Sequence, residues 1–102
     1  LLIDYATLTG AATVALGEDL PALFSNDDAL AADLVSAGDR AGDPLWRLPL
    51  WASYAAKLKS RIAELCSIDL APTPAAGALL GGLFLPPFVT PGTPWAHLAL
   101  YA

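Results

Sequence analysis

The 102-residue chain has no methionine, one cysteine and one histidine, and sets only five Lys and Arg against ten Asp and Glu. Each scarcity excludes something. A single thiol, Cys66, forms no internal disulfide and suits a reducing compartment. Five basic residues at a net charge of −5 make no stripe that tracks phosphates, so nucleic acid is not an expected partner. The longest apolar stretch, residues 75–85, is too short to cross a bilayer and runs into Pro86-Pro87, so no membrane insertion is expected. No basic segment leads into an apolar run with a small-residue cleavage site, so no signal peptide is expected. Without methionine and starting at Leu1, the chain reads as an excised or trimmed piece.

Apolar residues, by contrast, are abundant. They make up 56% of the chain, with 15% charged, where soluble domains carry roughly 45–50% and about 25%. A small domain has proportionally more surface and should be more polar than average. The excess implies cover from further protein, either a missing upstream segment or further copies in a homo-oligomer. Residues 1–102 are expected to form a single segment of a larger unit.

Residues 1–8 read as a buried strand that ends on Thr7-Leu8-Thr9-Gly10. A small apolar stretch, 11–16, leads to a turn at Gly17-Glu18-Asp19, and residues 21–25 read as a second strand. Asn26-Asp27-Asp28 supplies a helix start, Leu30 and Leu34 share a face, and Gly38 is the expected terminator. Residues 45–50 are extended, as residues ahead of proline prefer. Trp51, Tyr54, Leu58 and Ile62 then fall on one helical stripe. Residues 75–85 read as a helix with no polar face, and 95–101 as a last strand. The expected fold class is α/β: a three-layer α/β/α arrangement with a mostly parallel sheet, present only in part.

Three stretches together carry a family resemblance: "IDYATLTGAATVALGEDLPALFSND"; "GDPLWRLPL" with Tyr54 and "LKSRIAEL" after it; and "FV" followed by "WAHL". In this order they resemble the catalytic domain of leucyl aminopeptidases, the cytosolic two-metal enzymes of the M17 class, over nearly the whole chain. The resemblance implies a cytoplasmic, typically hexameric hydrolase that removes an N-terminal residue from peptides, using two divalent metals, Mn or Zn. It places Thr7, Leu8 and Gly10 in the substrate groove, with the Leu8 carbonyl accepting from the peptide and the Gly10 amide donating to it. A glycine suits that place because a missing Cβ lets backbone approach a ligand closely. Ile68 corresponds to an isoleucine of the pocket beyond the scissile bond. Tyr101 falls where a small residue lines the pocket for the substrate's first side chain.

The family's metal ligands, and an Asn-Thr-Asp-Ala-Glu-Gly-Arg motif that includes a catalytic arginine, lie upstream of the matched region. The implied expectation is therefore no catalytic residue and no metal ligand on this chain, which alone would be inactive. Three places depart from the family pattern: Glu64-Leu65-Cys66-Ser67-Ile68, the "APTPAAGALLGG" helix start with Leu80 for a usual threonine, and the ending Ala99-Leu100-Tyr101-Ala102. Such drift suits a fragment or a degenerate homologue. The alternative is a non-catalytic oligomerisation or interaction module on the same fold.

The remaining polar residues read as structural. His97 is expected as a packed strand histidine, since Ala99 stands where the family has an aspartate, and Cys66 as an inert buried thiol. Asp27 and Asp28 serve the helix start. Asp4, inside an apolar strand, needs a hydrogen-bonded partner. Lys57, Lys59 and Arg61 form a solvated helix face, and Trp46 and Arg47 pack at a strand edge.

Overall fold

The computed structural model describes residues 1–7, 10–54 and 77–101. Their elements run β1 (Leu2–Ala6), α1 (Ala11–Leu16), β2 (Ala22–Ser25), α2 (Asp28–Ala41), β3 (Trp46–Arg47), α3 (Gly77–Phe84) and β4 (Trp95–Ala99). The strands form one sheet in the order β1-β4-β2-β3. β1 pairs parallel with β4, placing Leu2 beside Trp95 and Asp4 beside His97, and β2 pairs parallel with β3. The central β2–β4 pairing is antiparallel, with Phe24 opposite His97. The sheet is therefore mixed, its two parallel pairs running in opposite directions.

Alternation along β4 sorts the core into two layers. Ala96 and Leu98 join Leu23 and Ala31 on one face, with Leu30, Leu34 and Val35 of α2 packed against them. Trp95 joins Ala22 and Phe24 on the other face, where Ala12 and Leu16 of α1 and Ala78 and Leu79 of α3 pack. One helix on one face and two on the other make a partial three-layer α/β arrangement. α3 approaches closely because Gly82 has no side chain: a Cβ there would stand 2.4 Å from the Phe24 ring.

α2 is closed at both ends by its own sequence. The Asp27 carboxylate accepts from the Leu30 amide at 2.8 Å, and Gly42, at φ 72°, donates to the carbonyls of Gly38 and Asp39. The helix thus ends at Gly42 and not at Gly38, which lies inside it and corrects the expected stop. Gly38 serves the approach of the next segment instead, since a Cβ there would lie 2.6 Å from the Asp43 carbonyl oxygen.

β1 also differs from the buried strand expected of residues 1–8. Among the described residues it is an edge strand, bonded only to β4, and Leu2 and Tyr5 are 45% and 65% exposed. An apolar run reads alike whether a partner strand covers its far edge or not. The expected helix through Leu58 and Ile62, with Lys57, Lys59, Arg61 and Cys66, lies outside the described residues; before it stands one 3-10 turn at 52–54. Trp46 is exposed, and Arg47 is ion-paired with Asp28 at 2.7 Å.

Candidate functional site

At the end of β1 the ladder continues for one step, the Leu100 amide donating to the Ala6 carbonyl at 3.0 Å. Thr7 then ties itself to the same strand, its Oγ1 donating to the Leu100 carbonyl at 2.7 Å. The chain enters α1 through Gly10, whose φ of 72° and ψ of −6° are left-handed, a conformation open to glycine at little cost. Gly10 offers no side-chain cap, and its carbonyl accepts from the Thr13 amide at 3.2 Å. Wherever main-chain groups here meet a ligand, nothing branches from Gly10 to obstruct them.

Beneath this turn lies a polar cluster. The Asp4 carboxylate, on β1, accepts from the Trp95 indole Nε1 at 2.7 Å and pairs with His97 Nδ1 at 2.5 Å. A carboxylate has no proton to donate, so Nδ1 carries the hydrogen. The His97 ring is 1% exposed and sits between the Trp95 indole, 6.4 Å away and nearly parallel, and the Phe24 ring, 6.2 Å away. The partner Asp4 needs is thus a pair of side chains 91 and 93 positions away. For His97 the expectation of a packed strand histidine holds. Its partner is not its sequence neighbour, where Ala99 stands, but Asp4 across the sheet. The available signal was that two polar residues, each inside an apolar strand, both required one.

Thr7, Gly10, His97, Gly81 and Gly82 border one cavity of about 10 Å³, on the α1 and α3 side of the sheet. Of the residues that the family resemblance places in a substrate groove, Thr7 and Gly10 are brought together there. Tyr101 does not border this cavity and is 59% exposed. Leu8 and Ile68 lie outside the described residues. Among the described residues no three His, Cys, Asp or Glu side chains gather as a metal site would require. No metal-dependent step is assigned to the described part of the chain. No helix among the described residues is long and apolar enough to cross a membrane.

Comparison with known proteins gives this geometry a family. The catalytic-domain model of the cytosol aminopeptidase family matches residues 1–102. Over 97 residues the chain is 47% identical to a probable cytosol aminopeptidase of Nitratidesulfovibrio vulgaris and 48% identical to that of Caulobacter vibrioides. These matches take in 95% of this chain but only 18% and 19% of the relatives. Among solved structures, cytosol aminopeptidase from Coxiella burnetii superimposes with a TM-score of 0.84 at 48% identity, over 99% of this chain and 22% of that one. The bottromycin maturation enzyme BotP in complex with Mn gives 0.88 at 41% identity, over 98% and 21%. The chain spans about a fifth of the length of the relatives it matches, and it belongs to the cytosol aminopeptidase family, within the catalytic domain.

Proposed function

We propose that residues 1–102 form one segment of a cytoplasmic aminopeptidase that acts on the N-terminal residue of peptides, and that this segment supplies a wall of the substrate groove. The observation that carries the reading is the β1-to-α1 turn. It stands within a family match over the whole chain, and it is built on a left-handed glycine with no side-chain cap. The Leu8 carbonyl and the Gly10 amide would hold the peptide backbone, with Thr7 beside them. Ile68 would face the residue after the scissile bond, and Tyr101 would narrow the pocket for the residue before it. The two divalent ions that the family resemblance implies would be held by residues outside this chain; the Mn complex of BotP supports such a metal in the family. The 102 residues alone would be a fragment or degenerate homologue without turnover.

Activity separates the parts of this reading. The 102-residue chain should not hydrolyse a leucine anilide with Mn, Zn or Co added. A full-length family member carrying this segment should do so, and Gly10→Val should lower its kcat/KM far more than its Tm. Turnover by the isolated chain, or an equal loss of activity and stability in Gly10→Val, would refute the proposal. A second reading, an oligomerisation module, draws on the exposed Leu2, Tyr5, Val14, Trp46 and Trp51. In that case the chain would self-associate at tens of micromolar and Gly10→Val would leave the association unchanged.

A further inference from the structure

His97 has used one ring nitrogen. Nδ1 is committed to Asp4, while Nε2 has no hydrogen-bond partner among the described residues, although the residue is 1% exposed. A buried acceptor left unpaired is costly, and such groups in native proteins are met by protein or by an ordered water. The ring borders the cavity of about 10 Å³, close to the smallest space that holds one water. Among the described residues its only other polar side chain is that of Thr7, whose hydroxyl donates to Leu100 and keeps a lone pair free to accept. Gly81 and Gly82 of α3 also border it, and neither carries a side chain into it.

We infer that Asp4 fixes His97 as its Nδ1–H tautomer so that Nε2 accepts from a single buried water, and that this water joins the sheet to the β1-to-α1 turn through Thr7. His97 is then a positioning residue. It touches no substrate, and it keeps Thr7 and Gly10 in place from below. The inference deepens the groove reading and depends on it for its functional meaning, but its geometry stands apart from any hydrolysis.

Nuclear magnetic resonance of the 15N-labelled 102-residue chain tests it directly. His97 is the sole histidine in the sequence, so its two ring nitrogens are read without ambiguity. The expected spectrum shows Nδ1 protonated, Nε2 as a hydrogen-bonded acceptor, and a cross-peak from the ring Hε1 proton to a long-lived water. A proton on Nε2, or a bare Nε2 with no water contact, overturns the inference. His97→Asn keeps an N–H able to reach Asp4 while deleting the Nε2 end of the ring. It should speed hydrogen exchange at the Thr13 amide, which bonds to Gly10, on the order of tenfold, the worth of about one net hydrogen bond. Exchange at the Leu30 amide, held by Asp27 on the other face, should stay unchanged. An unchanged Thr13, or equal acceleration at Thr13 and Leu30, would mean that His97 is packing alone. Because no readout involves peptide cleavage, a failure here is distinguishable from failure of the groove proposal.

Discussion

The chain passes from strand to helix at β1–α1 and again at β2–α2, on opposite faces of one sheet, and it builds the two passages from different materials. At β2–α2 side chains do the work. The Ser25 hydroxyl donates to the Trp95 carbonyl at 2.7 Å, the Asn26 carboxamide joins the Trp95 amide to the Thr93 carbonyl, and Asp27 caps the helix. The α2 that follows runs for 14 residues. At β1–α1 the turn rests on backbone conformation at Gly10, and the helix after it has six residues, with Val14 91% exposed. Among the described residues the first passage is held by three side chains and the second by one, the Thr7 hydroxyl on the Leu100 carbonyl. The difference is the one expected if the β2–α2 passage is scaffold and the β1–α1 passage is the proposed groove wall.

The largest test of this contrast removes the lower layer under β1–α1. Phe24→Ala empties the place beneath Gly82 and should cost about 3–5 kcal/mol in urea unfolding. At low urea, hydrogen exchange should rise first in α1 and α3; a rise led by α2 would reverse the contrast. Next come the two left-handed glycines. Gly10→Ala and Gly42→Ala, both at φ 72°, should each cost about 1–2 kcal/mol from the same backbone strain. Only Gly10→Ala should also lower kcat/KM in a full-length family member, and parallel loss in both variants would remove the functional half of the comparison. Asp27→Ala should cost about 1 kcal/mol and shift the thermal midpoint without altering peptide binding. The smallest effect belongs to the Arg47–Asp28 pair, whose aspartate side chain is 94% exposed. Arg47→Ala should cost less than about 1 kcal/mol, and salt should erase the difference from the parent chain.

The sequence was most readable where a side chain announces its task. Asp27 ahead of an apolar-periodic stretch marks an N-cap, and β2 and β4 stand out as apolar runs between turn residues. It was least readable where the cause is distant. Whether β1 lies at an edge depends on which strand flanks it, which its own residues do not encode. Gly38 could not be told from a helix terminator, because its reason is the Asp43 carbonyl folding back on it. The same holds for the antiparallel junction between the two parallel strand pairs. Of the proposed groove, Thr7 and Gly10 were legible only through the family resemblance, and the Asp4–His97 couple was legible only as two unmet needs.

The place of β4 has a consequence for how the molecule comes into being. Its Trp95 to Ala99 bond on one side to β1 and on the other to β2, so the central strand is synthesised after every other described element. Until it emerges, β1 has no partner among the described strands, and β2 has only the two-residue β3. Contacts between residues so far apart form slowly, since nearly the whole segment must close on itself first. During that interval the apolar edges of β1 and β2 are open to any passing strand. A stalled or shortened product that stops before Trp95 would therefore be a load on the cell's chaperones, and the histidine that steadies the turn would arrive together with the strand that ends this exposure.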